Sequence, residues 1–375
     1  MSKRIQQPYN KMLIKDIISI IENFAPPALQ ESYDNSGIQC GDVNEKATGA
    51  MLCLDVTLDV LAEAKKKKCN LIIAHHPLIF SPLKRLTGSN YIEKILIEAI
   101  KKNICIYACH TNADNVRMGV NNKMAEKLGL INCKVLQPKK GLLKKLVTFC
   151  PIAHAEKVRA ALFKAGCGQI GNYDSCSYNL KGEGTFRGNE KANPFVGEKN
   201  KIHFEQEIRI ETVFESYKEK EVVRALHKAH PYEVVAYDIY PLDNKHPEIG
   251  SGLIGELPKA ETERDFLLNL KAVFKAGAIR HTVVLDKKIK KVALCGGSGS
   301  FLLKDAIAAK ADIFITADFK YHQFFDAENK LVIADIGHYE TEQFTPEIFY
   351  AEIHKKLPKF AVHLSKTNTN PINYL

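Results

Sequence analysis

Short apolar runs alternate with helical patterns at both ends of this chain, and this alternation restricts the possible fold more than any other feature. In the first part we predict strands at Ala50–Asp55, Leu71–Ala74 and Ile104–Cys109, and helices at Leu58–Lys68, Tyr91–Lys102 and Asn121–Leu128. In the last part we predict strands at Lys291–Cys295, Ile313–Thr316 and Leu331–Asp335, a helix at Phe301–Lys310 and a further helical pattern after His338. Such alternation is typical of βαβ units, so we expect an α/β fold with a mostly parallel sheet and helices on both faces.

The middle of the chain has a different order of elements. We predict, in order, Leu146–Cys150 (strand), Ala155–Ala165 (helix), a hairpin-like stretch to about Asn200, Ile208–Phe214 (strand), Lys218–Ala229 (helix) and Val234–Leu242 (strand). The order β-α-β-β-α-β is that of a ferredoxin-like domain. We therefore predict one α/β domain made of residues 1–142 and 246–375, interrupted by an inserted ferredoxin-like domain at residues 143–245.

Composition limits the class of protein and its compartment. Hydrophobic residues make up 45% of the 375 residues and charged residues 26%, which is typical of globular domains. No apolar run approaches the roughly 20 residues that cross a bilayer, and the first residues have no apolar signal segment. The ten cysteines are scattered through apolar stretches without a C-x-x-C pair, so we interpret them as reduced thiols. We expect a soluble, cytoplasmic protein with no membrane partner.

A formal charge of +10 raises the question of nucleic-acid binding. The main basic cluster, Lys65–Lys68, follows the apolar pattern of a helix and stands at its carboxyl end, where lysines complement the helix dipole. No nucleic-acid-binding motif accompanies the charge. We therefore do not expect a nucleic-acid partner.

Side chains that can bind metals follow directly after the predicted strands of the outer domain. They are His75 and His76 after Leu71–Ala74, His110 and Asp114 after Ile104–Cys109, Asp318 and His322 after Ile313–Thr316, and His338 and Glu342 after Leu331–Asp335. In open α/β sheets, ligands bind at the carboxyl ends of the strands. We therefore expect these side chains to meet at one edge of the sheet, although they are far apart in sequence.

The residue types indicate a two-metal site. Imidazoles with carboxylates suit Zn, Fe or Mn, and the lack of cysteine at the same edge argues against a closed structural zinc site. Neighbouring His75 and His76 would point to different ions, whereas His338 and Glu342 would share one helix face. With Asp114 they provide five ligands, and Glu342 could bridge two divalent ions about 4 Å apart.

Three features leave alternatives open. His110 could be a sixth ligand, a partner that orients a ligand, or a proton carrier. The loop Gly296–Ser300 could cradle a phosphate or be a tight strand-to-helix turn, and it lacks the G-K-[ST] ending of a P-loop. A nucleophile–base pair of Cys109 and His110 is disfavoured, because adjacent side chains in a strand diverge.

Five motifs at the two ends of the chain carry a family resemblance. They are Asp34–Gln39 (DNSGIQ), Ala74–Leu78 (AHHPL), His110–Asp114 (HTNAD), Thr316–His322 (TADFKYH) and Asp335–Glu342 (DIGHYETE). In this order they resemble the NIF-three-like family, the dinuclear-metal-centre proteins often named GTP cyclohydrolase I type 2 homologues. Ala317 stands where many relatives have glycine. Pro346 would break a long helix, so we expect the last helix to begin near Glu340.

The resemblance implies a ligand set, an assembly and an activity. The ligands of the two divalent cations would be His75, His76, Asp114, His338 and Glu342. The assembly would be a homohexamer, a trimer of dimers, and the inserted domain would be similar to PII or CutA proteins. The activity would be a metal-dependent hydrolysis that opens the purine ring of GTP or acts on another nucleotide or phosphorylated substrate.

Two functions therefore remain open from the sequence. In the first, the protein is a metal-dependent hydrolase in which His110 or His322 moves protons. In the second, it is a non-enzymatic metal-binding or regulatory assembly whose inserted domain senses a ligand.

Overall fold

The computed structural model describes residues 12–375, which form two compact units. The outer unit combines Met1–Gln137, described from Met12 onward, with Glu248–Leu375. The inserted unit is Pro138–Pro247. The predicted domain bounds, an outer domain of residues 1–142 and 246–375 with an inserted domain at 143–245, stay a prediction.

The helices and strands of the described residues run as follows in chain order. The first part contains α1 (Ile14–Phe24), β1 (Gly37–Cys40), β2 (Ala50–Cys53), α2 (Leu58–Lys66), β3 (Leu71–Ala74), α3 (Tyr91–Lys101), β4 (Cys105–Ala108), α4 (Thr111–Asn115), α5 (Val120–Lys127) and β5 (Ile131–Pro138). The middle part contains β6 (Leu143–Pro151), α6 (Ala155–Lys164), β7 (Tyr178–Phe186), β8 (His203–Glu215), α7 (Glu219–Ala229) and β9 (Tyr237–Leu242). The last part contains β10 (Gly250–Thr262), α8 (Glu263–Val273), β11 (Arg280–His281), β12 (Lys288–Ser298), α9 (Leu303–Ala308), β13 (Ile313–Ala317), β14 (Val332–Asp335), α10 (His338–Glu342), α11 (Thr345–Lys356) and β15 (Val362–Leu364).

The outer unit contains two mixed sheets, so the prediction of a mostly parallel sheet is wrong. The first sheet has the order β1-β4-β3-β2-β15 and the second the order β11-β14-β13-β12-β10-β5. The inner strands are parallel, but β1, β10 and β11 pair antiparallel with β4, β12 and β14. These antiparallel strands are short or, in β10, interrupted by glycine and proline, which are depleted in strands. The sequence pattern therefore contained no sign of them.

Helices cover both faces of each sheet in the outer unit. In the first sheet, Leu52 and Tyr107 pack with α1 and α11, whereas Met51 and Ile106 pack with α2 and α3. This division follows from the two-residue period of a strand. The second sheet is covered in the same way by α8 and α9. Because the helices occupy the faces, the loops at the carboxyl ends of the parallel strands remain available for a site.

The inserted unit consists of a four-stranded antiparallel sheet and two helices. Its elements follow the order β-α-β-β-α-β, and the strands lie in the order β7-β8-β6-β9. Val158 of α6 and Leu226 of α7 pack on one face of the sheet, against Leu146 and Ile210. One face of this sheet is thereby buried.

Two further properties concern the whole described chain. Within residues 12–375, no helix has both the length and the apolar character that a bilayer crossing needs. All ten cysteines are free thiols and seven of them are buried, so most behave as small apolar core residues.

Candidate metal centre

The candidate ligands come from two sheets, not from the single sheet edge that was expected. His75 and His76 follow β3, and Asp114 lies in α4 behind β4, so these three belong to the first sheet. His338 and Glu342 lie on α10, which follows β14 of the second sheet. The site therefore requires that two separate sheets bring their strand ends together.

His338 and Glu342 are the first and last residues of α10, a single helical turn. Their side chains meet on one face, with Nε2 of His338 3.1 Å from Oε2 of Glu342. The helix begins earlier than the expected start near Glu340. Pro346 does not break it, because that proline stands in the first turn of the next helix, α11, where its missing N–H costs nothing.

Three imidazole nitrogens approach one carboxylate oxygen. Oε2 of Glu342 lies 2.9 Å from Nε2 of His76, 3.1 Å from Nε2 of His338 and 3.8 Å from Nε2 of His75. Glu342 is 3% exposed. Burial alone would raise the pKa of Glu342, but the charge and hydrogen bonding of His338 outweigh it and hold that pKa well below its ordinary value. A buried, charged carboxylate of this kind is a strong ligand for a cation.

The cluster contains three overlapping groups that could each hold a metal ion. They are His75–His76–His110, His76–His338–Glu342 and His75–Asp114–Glu342, with the ligand atoms of each group within 4.8 Å of one another. Glu342 belongs to two of these groups. This sharing is what a ligand that bridges two neighbouring ion positions requires.

Among residues 12–375, no hydrogen-bond partner is found for two buried atoms of the cluster. Nε2 of His75 and Oδ1 of Asp114 face each other at 3.6 Å, and both are fully covered. A buried polar atom without a partner costs about 1–3 kcal/mol. Burial and the charge of Glu342 also raise the pKa of Asp114 to about 7. A cation between the two atoms would satisfy both, so these residues fit a divalent metal ion.

Each imidazole of the cluster has its Nδ1 held by an oxygen. The pairs are His75 with the carbonyl of Cys109 (2.9 Å), His76 with Asp55 (2.7 Å), His110 with Asp34 (2.8 Å) and His338 with Asp318 (2.6 Å). An oxygen at Nδ1 keeps a proton there, so Nε2 is the atom whose lone pair a metal ion would bind once Nε2 has lost its proton. This arrangement is typical of histidines that bind metals.

Sequence reasoning missed the orienting roles of the aspartates. Asp55 lies two residues after β2, at the end of the predicted strand Ala50–Asp55, so the strand-end rule that named the candidate ligands could have found it. Asp34 lies in a loop before β1. Burial would raise the pKa of Asp34, but hydrogen bonds from His110 and Thr111 outweigh it and hold the pKa well below its usual range. Asp34 therefore stays charged and fixes the ring of His110.

Of the two predicted proton carriers, the structure brings one into the cluster. The ring centroid of His110 lies 5.2 Å from that of His75 and 5.4 Å from that of His76. His322 lies exposed in the 3-10 turn Tyr321–Ala327, where its ring stacks against Phe325. It takes part in none of the metal-competent groups found among residues 12–375.

The glycine-rich loop is a tight turn and not an anion cradle. The backbone amides of Gly296, Gly297 and Gly299 donate, each at 2.9 Å, to the side-chain oxygens of Asn121, Thr341 and Thr316 respectively. These amides are therefore already used inside the protein. The segment that follows is a short 3-10 turn and the six-residue α9, which presents no extended helix terminus to a phosphate.

The thiol of Cys109 is unsuited to nucleophilic attack. It is completely buried, and its Sγ lies 3.3 Å from the side-chain amide of Asn112, which donates to it. Burial raises the pKa of Cys109, so the thiol stays protonated. The structure thus disfavours a cysteine–histidine pair here.

A cavity of about 440 Å³ opens beside the cluster. It is lined by the imidazoles of His76, His110 and His338, and by exposed aromatic rings at Tyr33, Phe80 and Phe301. Among the described residues, no lysine or arginine lines it. The cavity therefore offers ring surfaces and metal-competent side chains, but no basic clamp.

An α/β fold whose strand ends gather imidazoles around buried carboxylates defines a class of candidate metal-binding proteins. Within that class, the chain belongs to the Duf34/NIF3 (NGG1p interacting factor 3) family, whose profile matches residues 12–371.

Relatives and solved structures agree with this membership. The chain is 40% identical over 324 residues to the GTP cyclohydrolase 1 type 2 homolog of Halalkalibacterium halodurans, covering 86% of this chain and 87% of the relative. It is 38% identical over 371 residues to the protein of that name from Bacillus subtilis, covering 96% and 98%. A crystal structure of a Bacillus cereus protein related to NIF3 superposes with a TM-score of 0.85 at 38% identity, covering 97% and 100%. A Staphylococcus aureus protein superposes with a TM-score of 0.78 at 28% identity, covering 98% and 99%.

Proposed function

We propose that this protein is a metal-dependent hydrolase with two divalent cations, acting on a nucleotide or another phosphorylated substrate. The observation that carries the proposal is the approach of three histidine Nε2 atoms to the buried carboxylate of Glu342. The two partnerless atoms, on His75 and Asp114, lie beside it. The relatives' name, GTP cyclohydrolase 1 type 2 homolog, supports a purine nucleotide as the first substrate to try.

The side chains divide naturally between two ion positions. His75 and Asp114 would hold one cation, His76 and His338 the other, and Glu342 would be shared. Zn, Fe and Mn all suit imidazole and carboxylate ligands. When bound, two such ions supply a water whose pKa is lowered toward about 7 and polarise the bond under attack. The oxygens at each Nδ1 hold the rings in place for this chemistry.

We assign proton transfer to His110 and not to His322. His110 lines the cavity, and Asp34 holds its Nδ1, so Nε2 is the atom available to exchange a proton. His322 lies on the surface, away from the cavity lining.

The cavity lining favours a planar ring over a strongly anionic group. Tyr33, Phe80 and Phe301 are more than half exposed, and such rings can stack on a nucleobase. Since the described lining of this cavity contains no lysine or arginine, phosphate oxygens of a substrate would be bound by the metal ions themselves. The formal charge of +10 is thus not used at this site.

Elemental analysis tests the proposal, with His76→Ala and Glu342→Gln compared to His322→Ala as the matched control outside the cluster. About two transition-metal ions per parent chain, retained in the control and lost in the two variants, is the expected result. GTP turnover should follow the same pattern. A parent that takes up no Zn, Fe or Mn after reconstitution would refute the metal centre.

The alternative is a regulatory metal-binding assembly, and one observation favours it. The inserted unit has the ferredoxin-like order of elements and a separate cavity of about 720 Å³, lined in part by Phe149, Phe195, Arg209 and Tyr232. We propose that residues 143–245 are a PII-like or CutA-like domain that binds a ligand. In this alternative the chain forms a homohexamer, binds metal and turns over no nucleotide. The turnover assay separates the two functions, and light scattering tests the homohexamer.

A further inference from the structure

The segment Ser365–Tyr374, here called the strap, connects the two sheets that supply the ligands. At one end, the amide of Ser365 donates to the carbonyl of Leu52 in β2 of the first sheet, at 2.8 Å. At the other end, the ring of Tyr374 lies so close to Gly277 that any side chain at that glycine would collide with it. Gly277 precedes β11 of the second sheet. The strap therefore spans the region in which the ligands meet.

Glu63 of α2 anchors the beginning of the strap. Its carboxylate accepts hydrogen bonds from the hydroxyl of Ser365 (2.7 Å), the amide of Lys366 (3.1 Å) and the hydroxyl of Thr367 (3.1 Å). These bonds hold an otherwise irregular segment in one path over the first sheet. Thr369 and Asn370 are thereby delivered to the edge of the cluster.

The strap reaches the cluster at Thr369. Its hydroxyl donates to Oδ2 of Asp55 at 2.7 Å, while Oδ1 of the same carboxylate holds Nδ1 of His76 at 2.7 Å. One residue further, the side-chain amide of Asn370 donates to Oε1 of Glu340 at 3.1 Å. Glu340 is buried on α10, between His338 and Glu342.

We propose that the strap is a working part of the metal centre, with Thr369 as a positioning residue that orients His76 through Asp55. This inference rests on the proposed function. Neither sheet alone carries a complete ligand set, so the relative position of the two strand ends decides whether the ligands can meet. Thr369 of the strap binds Asp55 beside the first sheet, and the next residue, Asn370, binds Glu340 on α10, which follows the second sheet.

Hydrogen bonding explains why the hydroxyl matters. Thr369 satisfies one oxygen of Asp55, and this leaves the other oxygen aimed at His76. Without the hydroxyl, the carboxylate can turn toward solvent and the imidazole loses its fixed orientation. Loss of an orienting group typically lowers metal affinity 10- to 100-fold. Thr369 acts one bond further away, so we expect about a 2- to 10-fold loss, the factor that corresponds to the typical net contribution of one hydrogen bond.

The test uses Co²⁺ as the probe in the full-length chain. Thr369→Val removes the hydroxyl but keeps the shape, and Thr369→Ser keeps the hydroxyl. Thr367→Val removes a strap hydroxyl that donates to Glu63, while the hydroxyl of Ser365 and the amide of Lys366 still hold the strap there. Co²⁺ affinity is measured by chelator competition, the geometry by the visible absorption of bound Co²⁺, and the fold by the melting temperature in excess chelator. We expect weaker binding and an altered spectrum for Thr369→Val alone, with metal-free melting temperatures equal for the two valine variants.

The variant Asp55→Asn distinguishes a failure of the strap inference from a failure of the proposed function. If Asp55→Asn weakens Co²⁺ binding at least tenfold but Thr369→Val behaves like Thr367→Val, the strap has no positioning role and the metal centre stands. If the parent chain binds no Co²⁺, the proposed function fails and the strap inference fails with it.

Discussion

A single methyl group added at Gly297 should weaken metal binding far more than it reduces the stability of the fold. Its φ of +60° lies in the left-handed region, and a Cβ there would overlap Oε1 of Glu342 and stand 3.2 Å from Cε1 of His338. The glycine therefore allows the backbone of the loop to approach the two ligands of α10. Gly297→Ala places a methyl group where the shared carboxylate lies.

The expected magnitudes follow from this geometry. An alanine in the left-handed region costs roughly 1–2 kcal/mol of folding free energy. Because carbon contacts need separations of about 3.5 Å, the Glu342 carboxylate must move by on the order of 1 Å. Metal–ligand distances tolerate only about 0.2 Å, so such a shift should reduce metal affinity far more than it reduces stability. We expect at least a tenfold loss of affinity.

Gly129→Ala is the matched control. Gly129 has a φ of +66°, and a Cβ added there would meet no atom within 4 Å, so this variant carries the backbone cost without the collision. Denaturant unfolding in excess chelator should give similar losses of stability for both variants, whereas chelator competition should show a loss of affinity only for Gly297→Ala. Parent-like metal affinity in Gly297→Ala would refute the assignment of Glu342 as a ligand.

The remaining predictions also concern the cluster. Asp318→Asn should weaken metal binding roughly tenfold, because it removes the charged acceptor on Nδ1 of His338, whereas Asp326→Asn on the surface should leave chelator competition unchanged. In the metal-free protein, burial by itself would lower the pKa of His76 and His338. The Glu342 carboxylate and the aspartate bound to each ring outweigh burial, so the pKa rises to about 10 for His76 and about 11 for His338. Metal must therefore expel protons, so calorimetry in buffers of different ionisation enthalpy should detect proton release, with weaker binding as the pH falls. Since both folded pKa values lie above the unfolded value of about 6.5, the metal-free protein should lose stability from about pH 6.5 to pH 11; denaturation midpoints that rise over this range would contradict the linkage.

The ligand positions could be predicted because they depend on a local rule. A parallel strand delivers its next residues to the carboxyl edge of its sheet, so His75, His76 and Asp114 could be named as candidate ligands from residue type and the position of apolar runs. The rule would also have found Asp55, which lies two residues after β2. It could not reveal that Asp55 holds a histidine ring, since that contact joins loops of two different strands.

The sheets were harder to predict, because strand pairing is a long-range property. β10 contains glycines and a proline, which interrupt the alternation of apolar and polar residues that predicts a strand. It nevertheless pairs antiparallel with β12. It lies between β12 and β5 in the second sheet, which is separate from the first sheet. A one-sheet site was expected, whereas the candidate ligands come from both sheets.

The sequence by itself determined the α/β character of the outer unit, the order of elements in the inserted unit and the identity of the candidate ligands, because each depends on residue type and short-range periodicity. Only the tertiary structure decided that two sheets meet at the cluster, that His110 joins it while His322 does not, and that the strap reaches Asp55 through Thr369. These facts depend on contacts between residues far apart in the chain. Such contacts form only when the two sheets are packed, and no local pattern encodes them.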